Sequence, residues 1–272
     1  MVARYRARLA RQALSSCRLC AHDCGVNRLD GDRGFCRAGP TARIFSAQTE
    51  VSDELELSPV FAIAFSGCDL RCDFCITGAE SWNPAAGVPM RFEEIASQAE
   101  NALDRGARTI MFLGGEPTIH LPSVLEVVSL LPEDAILVWK TNAHGSAEAR
   151  ALLDGLFDIW VADYKFGNDE CARRLAKVDN YGAIVRENLA WAAVHADLIV
   201  RHLVMPGHVD CCWRPVAEWL GSDLPGVKVN LRTGFWPAWH ARRHSEMRSP
   251  TSGAEAQCAV GIAQEFGLRL VD

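Results

Sequence analysis

The stretch VFAIAFSGCDLRCDFC, residues 60–75, combines two patterns that indicate a fold and a chemistry. Its first six residues are all apolar, as in a strand that is buried on both faces of a sheet. Three cysteines, Cys68, Cys72 and Cys75, follow within eight residues. The sequence therefore predicts a buried strand that leads directly into a loop able to bind metal.

Similar short apolar runs begin near residues 109, 135, 158, 198 and 227, and helix-like segments such as residues 91–106 stand between them. Strands that alternate with helices favour parallel strands joined by crossovers of one hand. Six such units predict an α/β fold with a partial (β/α)6 TIM-like barrel, because a complete eight-stranded barrel typically needs about 250 residues. An open doubly wound sheet is the alternative.

The chain of 272 residues, 49% of them hydrophobic, is long enough for one sizeable domain with a small appendage. We expect a small cysteine-rich, metal-binding segment over residues 1–50 and the partial barrel over residues 51–245. Residues 246–272 are expected to add a helix and strand extension at the C-terminus.

Polar and metal-capable residues follow the predicted strands at the point where each strand ends. Loops that follow parallel strands emerge on one face of the sheet, where ligands of such folds bind. The three cysteines follow the first strand, and the later strands carry Gly114–Pro117, Lys140 with Asn142, Asp163 with Lys165, and His202. This placement predicts an active site on that face.

Composition narrows the partners and the compartment. The formal net charge is −6 without a basic block, which argues against a surface that coats nucleic acid. No stretch reaches the roughly 18 apolar residues of a membrane span, and the basic start lacks the apolar core of a secretory signal. We therefore expect a cytoplasmic protein, where the 11 cysteines serve metal binding rather than disulfides.

The two cysteine groups differ in number. Cys17, Cys20, Cys24 and Cys36 form a full set of four, which suits a closed site holding zinc or an iron–sulfur cluster. The loop after the first strand supplies only three, which would leave one iron of a [4Fe-4S] cluster open for a substrate or cofactor. The alternative is a fourth ligand from elsewhere in the chain.

The spacing Cys-x3-Cys-x2-Cys, with an aromatic residue before the last cysteine, resembles the hallmark of radical S-adenosylmethionine (SAM) enzymes. GGEP, residues 114–117, resembles that superfamily's motif for holding the SAM amino group. The ordered set SGCDLRCDFC, FLGGEPTIH, KTN, DYKFG and RHLVMPG resembles, more narrowly, the pyruvate formate-lyase activating enzyme family, especially homologues with an extra N-terminal cysteine cluster. The resemblance covers roughly residues 15–240, most of the chain.

The resemblance implies that Cys68, Cys72 and Cys75 bind three irons of a [4Fe-4S] cluster while SAM chelates the fourth. An electron from a flavodoxin-like or ferredoxin-like donor would then cleave SAM to methionine and a 5′-deoxyadenosyl radical. That radical would abstract hydrogen from an unidentified small-molecule or protein substrate. A structural zinc-binding interaction module is the alternative of another class.

The resemblance also assigns binding roles to the strand-end residues. It places Gly114, Gly115 and Glu116 against the SAM amine and lets Pro117 fix the turn. It leaves Lys140 and Asn142 as contacts to SAM or substrate, with a rim charge as the alternative for Lys140.

For the later strands, the resemblance puts Asp163 and Lys165 near the SAM carboxylate and a monovalent cation, and His202 near SAM. Lys165 is also a candidate catalytic residue, although a simple ion pair with Asp163 is the alternative. Cys171, just past the fourth predicted strand, is either a hydrogen-atom donor, a substrate contact or a buried structural cysteine.

Within the enzyme hypothesis, two kinds of substrate compete. An activating enzyme of the pyruvate formate-lyase type would act on a glycine of a large partner protein. A small-molecule enzyme would need an enclosed pocket and, for an epimerase, a hydrogen donor such as Cys171.

Overall fold

The computed structural model of the chain describes residues 2–272. The described residues divide into two compact units, the first made of residues 2–69 and 79–159, the second of residues 70–78 and 160–272. Within the described range, no helix combines the length and the apolar character required to cross a bilayer.

The first unit contains five strands in the order β3-β1-β2-β4-β5. The strands are β1 (Arg43–Glu50), β2 (Val60–Phe65), β3 (Val88–Pro89), β4 (Thr109–Gly114) and β5 (Leu137–Thr141). β2, β4 and β5 are parallel, whereas β1 pairs antiparallel with both β2 and β3. Every residue of β2 is buried, as expected of a strand in a parallel sheet covered on both faces.

Five helices accompany these strands: α1 (Val2–Ala13), α2 (Ala79–Trp82), α3 (Phe92–Asp104), α4 (Leu121–Val128) and α5 (Ala147–Leu153). A 3-10 helix, Pro117–His120, follows β4. α1 buries Ala3, Ala7 and Ala10, which lie on one face of the helix at spacings of four and three residues, and it packs against α4. The cysteine-rich stretch after α1 is irregular, as its turn-forming sequence predicts.

The second unit contains β6 (Ile159–Asp163), β7 (Asp197–Leu203), β8 (Lys228–Arg232) and β9 (Arg269–Val271), in that order. β7, β8 and β9 are parallel. Its helices are α6 (Asp169–Ala176), α7 (Tyr181–His195), α8 (Arg214–Asp223) and α9 (Gly253–Glu265). A short π-helix, Val209–Trp213, precedes α8.

The predicted α/β class with parallel strands is confirmed. The six predicted strands correspond to β2, β4, β5, β6, β7 and β8. The sequence pattern missed β1 and β3, whereas β9 lies within residues 246–272, where a helix and strand extension was expected. β1 carries a mostly half-exposed, polar sequence and pairs antiparallel, so it lacks the continuous apolar run of a central parallel strand.

Candidate functional site

The cysteine loop begins directly after β2. Cys68 is buried, and the side-chain amide of Asn142 lies 3.6 Å from its sulfur. In the second unit, Cys72 is buried and Cys75 is half-buried, with its sulfur 3.2 Å from the Thr77 hydroxyl. No disulfide joins any of the 11 cysteines, all of which lie in the described range.

The segment that carries Cys72 is fixed by backbone hydrogen bonds within the second unit. The amides of Arg71 and Asp73 donate to the carbonyls of Ala176 and Leu175, at the end of α6, over 2.9 and 2.8 Å. This segment is therefore held by regular backbone pairing rather than left as a free loop.

Gly114 and Gly115 sit where the backbone after β4 meets the backbone that enters the cysteine loop. The Gly115 amide donates to the Phe65 carbonyl over 2.8 Å, and the Glu116 amide donates to the Gly67 carbonyl over 3.0 Å. A Cβ at position 115 would lie 1.9 Å from the Gly67 oxygen, and Gly114 has a φ of +118°. Gly115 therefore permits the approach to Gly67, the residue before Cys68, and Gly114 permits the positive φ and the approach to Phe65.

Glu116 is buried and acts as a hub for four donors. Its Oε1 accepts from the Thr118 amide (3.0 Å), the Thr118 hydroxyl (2.6 Å) and the Thr141 hydroxyl (2.8 Å), and its Oε2 accepts from the Asn142 amide (2.8 Å). Pro117 begins the 3-10 helix that Glu116 caps. Burial, helped by the charge of Asp69, raises the pKa of Glu116 to about 7.

Asp69 links the cysteine loop to the end of β5. Its Oδ1 accepts from Asn142 Nδ2 over 2.7 Å, and its Oδ2 lies 2.9 Å from His144 Nδ1. Although burial opposes its charge, hydrogen bonding to His144 and Asn142 lowers the pKa of Asp69 below its ordinary value. The same network includes His22, whose Nε2 lies 2.7 Å from the Asp69 carbonyl.

Sequence reasoning singled out Asn142 in this network but missed Asp69 and His144. A signal was available for both: Asp69 stands beside Cys68, and His144 follows Asn142 by two residues at the same strand end. Lys140 is held elsewhere. Its ammonium group contacts Glu54 over 2.7 Å, whereas the adjacent Thr141 points to Glu116, consistent with the alternation of side chains along a strand.

In the second unit, Lys165 contacts the carboxylate of Asp163 at the end of β6. Burial lowers the pKa of Lys165, but the charges of Asp163 and Cys72 outweigh it, so the net shift is upward. His202, on β7, is buried, and its Nδ1 lies 2.6 Å from the Tyr164 carbonyl. Since a carbonyl only accepts, Nδ1 carries the proton and Nε2 is an acceptor.

No described residue hydrogen-bonds to His202 Nε2, although this atom is buried. Burial lowers the pKa of His202 to about 4. The ring is therefore neutral near pH 7, with one unused acceptor.

In the N-terminal cysteine group, Cys17, Cys20 and Cys36 are buried and Cys24 is exposed. Burial is the main cause that raises the pKa values of Cys20 and Cys36, so both favour the neutral thiol unless a cation is bound. This segment contacts the strand-end loops of its own unit: the Ala21 amide donates to the His144 carbonyl over 3.0 Å.

Arg28 fixes the same segment from a buried position. Its guanidinium lies 3.5 Å from the Cys17 sulfur and donates to the Ile119 carbonyl over 2.9 Å. The N-terminal cysteines are therefore integrated into the first unit by backbone and side-chain bonds.

Of the other cysteines, Cys171, Cys211 and Cys212 converge on His208 in the second unit, whereas Cys258 is exposed on α9. Hydrogen bonding from Cys212 is the main cause that lowers the pKa of Cys171 to about 4. The sequence did not predict that these three cysteines meet.

The chain is similar to several known proteins. An uncharacterized protein of Methanocaldococcus jannaschii, MJ0674, is 31% identical over 274 residues, which covers 97% of this chain and 78% of that protein. The GTP 3′,8-cyclase of Moorella thermoacetica is 26% identical over 171 residues, covering 60% of this chain and 43% of the cyclase.

Among solved structures, Streptococcus suis SuiB bound to S-adenosylmethionine matches with a TM-score of 0.59 and 12% identity, over 75% of this chain and 47% of SuiB. The chain thus spans less than half the length of SuiB and of the cyclase. Residues 63–220 match the family model of the Radical SAM superfamily. This span includes the three-cysteine loop and GGEP. The chain therefore belongs to the radical SAM superfamily of enzymes.

Proposed function

We propose that this enzyme cleaves SAM reductively and abstracts a hydrogen atom from its substrate, using a [4Fe-4S] cluster bound by Cys68, Cys72 and Cys75. The observation that carries the proposal is the set of three cysteines, and not four, in the loop after β2. That loop lies within the span matched by the superfamily.

The residues present suit such a cluster. Thiolates are the usual ligands of iron–sulfur clusters, and none of these three cysteines is consumed by a disulfide. Cys68 and Cys72 are buried, which limits contact of a bound cluster with water. When bound, the cluster and SAM supply the electron transfer and the 5′-deoxyadenosyl radical, so the protein's task is to hold, orient and shield them.

The first unit supplies rigidity for Cys68. Gly114 and Gly115 bring the backbone after β4 against Phe65 and Gly67. The hydrogen bonds from Thr141 and Asn142 to Glu116 then bind that backbone to the end of β5. Asp69 extends the same connection to His144. We infer that this network holds Cys68 in one position for cluster binding.

GGEP, residues 114–117, is the proposed binding segment for the SAM amine, through backbone carbonyls and the Glu116 carboxylate. Asn142, whose amide group already contacts Asp69 and Cys68, is a proposed neighbour of SAM. Lys140 is a weaker candidate because its ammonium group pairs with Glu54.

In the second unit, the unused Nε2 acceptor of His202 is a proposed hydrogen-bond partner of bound SAM. Asp163 and Lys165 are proposed to bind the SAM carboxylate, with Asp163 also available to a monovalent cation. The N-terminal group of Cys17, Cys20, Cys24 and Cys36 is proposed to hold zinc in a closed site, with a second [4Fe-4S] cluster as the alternative.

The test is SAM cleavage under strictly anaerobic conditions. Reconstituted protein, given SAM and dithionite or reduced flavodoxin, is expected to form 5′-deoxyadenosine, and Cys72→Ala is expected to abolish it. Cys258→Ala, which removes an exposed cysteine on α9, is the matched control and should keep full activity. Product formation by Cys72→Ala at the wild-type rate would refute the proposal.

Substrate class is tested in the same reaction. Deuterium transfer from a labelled small molecule into 5′-deoxyadenosine would identify a small-molecule substrate. A glycyl radical detected by electron paramagnetic resonance in an added partner protein would instead support the narrower resemblance to activating enzymes.

A further inference from the structure

A second group of metal-capable side chains lies entirely within the second unit. Cys171, His208, Cys211 and Cys212 each offer one ligand atom, and these four atoms all lie within 4.8 Å of one another. Cys171 is near the start of α6, His208 directly precedes the π-helix, and the other two are inside the π-helix. The group therefore joins two segments separated by about 40 residues of chain.

The distances within the group match those around a single tetrahedral ion. His208 Nδ1 lies 3.6, 3.2 and 3.7 Å from the sulfurs of Cys171, Cys211 and Cys212. The Cys211 sulfur lies 4.0 Å from each of the other two sulfurs. Zinc bonds of about 2.3 Å to sulfur and about 2.0 Å to nitrogen place tetrahedral ligands roughly 3.5–3.8 Å apart.

We propose that Cys171, His208, Cys211 and Cys212 bind one Zn²⁺ ion in a closed structural site. Three thiolates and one imidazole complete a tetrahedron, so no position is left for a substrate. A cubane cluster would place each ligand on a different iron and therefore hold the ligand atoms farther apart than they lie here. Tetrahedral sulfur and nitrogen ligands favour zinc among the common divalent cations.

The backbone around the ligands brings the two segments that carry the three thiols close together. Asn168 caps α6 by accepting from the Cys171 amide over 2.8 Å, and its Nδ2 donates to the Cys211 carbonyl over 2.6 Å. A Cβ at position 167 would lie 2.4 Å from the Cys212 oxygen, so Gly167 permits the close approach of the two segments. These contacts favour a built site over a chance cluster.

The π-helix explains how two adjacent cysteines can serve one ion. Its wider turn is confirmed by the hydrogen bond from the Trp213 amide to the His208 carbonyl over 3.2 Å. Such short π-helical turns occur frequently at functional sites. Here the wider turn puts both Cys211 and Cys212 within reach of His208 Nδ1.

The other side of the His208 ring meets charged groups. Nε2 lies 3.6 Å from the Glu246 carboxylate and 3.2 Å from the Arg174 guanidinium. When Nδ1 binds metal, Nε2 carries the proton, so Glu246 becomes its acceptor and the Arg174 group must turn aside. A carboxylate behind a metal-bound histidine is a common supporting arrangement, and the cation of Arg174 offsets the net negative charge of three thiolates with Zn²⁺.

The first test measures zinc per chain in full-length protein purified without chelators. Zinc content should fall by one equivalent in His208→Ala and in Cys212→Ala, and stay at the wild-type level in Cys258→Ala. Cys24→Ala serves as a second control, because it reports any zinc held by the N-terminal group. Equal zinc in wild type and both site variants would overturn the proposal.

A second test uses the unmodified protein, so it does not depend on whether the variants fold. Cys211 and Cys258 are both exposed, and only Cys211 belongs to the proposed site. Removing zinc with a chelator should raise the alkylation rate of Cys211 about tenfold or more, because a thiolate bound to metal is a poor nucleophile, and should leave Cys258 unchanged.

Equal alkylation of Cys211 with and without zinc would overturn the proposal, as would a disulfide between Cys171 and Cys211 in the purified protein. Both measurements are independent of SAM cleavage, so this site and the proposed function can fail separately.

Discussion

Replacing Gly115 by alanine is expected to displace the entry to the cysteine loop. The new methyl group would lie 1.9 Å from the Gly67 oxygen and 2.6 Å from the Gly67 carbonyl carbon, both of which are backbone atoms. No flexible side chain can move aside, so the contact must open to at least about 3.0 Å. The backbone of residues 66–67 or of residues 115–116 must therefore shift by roughly 1 Å.

The shift breaks the hydrogen bonds from the Gly115 amide to Phe65 and from the Glu116 amide to Gly67. Loss of these two bonds, with the strain of overpacking, is expected to cost about 2–4 kcal/mol of unfolding free energy. Because Cys68 follows Gly67 directly, cluster incorporation should fall as well.

The assay combines the urea midpoint of the cluster-free protein with iron and acid-labile sulfide per chain after anaerobic reconstitution. Gly261→Ala is the matched control, since Gly261 lies in α9 with open space around its Cβ position. That variant should keep its iron and gain up to about 1 kcal/mol of stability from helix propensity. A Gly115→Ala protein with the wild-type midpoint and full iron content would refute the reasoning.

Three further predictions concern side chains around these units. Lys140→Met should lower the free energy of unfolding by about 3–5 kcal/mol, because it leaves the buried Glu54 carboxylate without its ammonium partner. In urea unfolding, the double variant that also carries Glu54→Gln should recover most of this loss. An equal loss in the double variant would argue against this pairing. The pKa of Glu116 is raised from 4.5 to about 7, so between these pH values the folded state retains a proton that the unfolded state releases. The free energy of unfolding should therefore fall by about 3 kcal/mol as the pH rises from 4.5 to 7. Urea midpoints measured from pH 4.5 to 8 should fall with pH in the wild type but not in Glu116→Gln. The same pH dependence in both proteins would contradict this assignment. Ser252→Ala removes the capping box of α9 and should cost about 1 kcal/mol in the same unfolding assay, whereas the exposed Ser249→Ala should change stability little.

Local sequence was sufficient to predict the central strands of both units. A run such as Val60–Phe65 is recognisable because a strand buried on both faces needs an uninterrupted apolar sequence. β1 escaped the pattern because it is partly exposed and carries polar residues, so it lacks an uninterrupted apolar run. α6 has only eight residues, four of them charged, so its apolar pattern is too short to indicate a helix by itself.

Part of the candidate site was also predictable, because some of its residues are neighbours in the sequence. Cys68, Cys72 and Cys75 share one loop, so their spacing is a property of the sequence itself. The partners of Asp69 could not be read in this way, since His144 lies 75 residues away and contacts it only after β2 and β5 enter the same sheet.

The sequence by itself determined the α/β class, the three-cysteine loop and the superfamily, because hydrophobic period and motif spacing are local properties of the chain. Only the tertiary structure decided that Lys140 pairs with Glu54 and that Cys171 meets His208, Cys211 and Cys212. Such contacts depend on how crossovers return distant segments to neighbouring strands, and no local pattern records where a side chain will meet its partner.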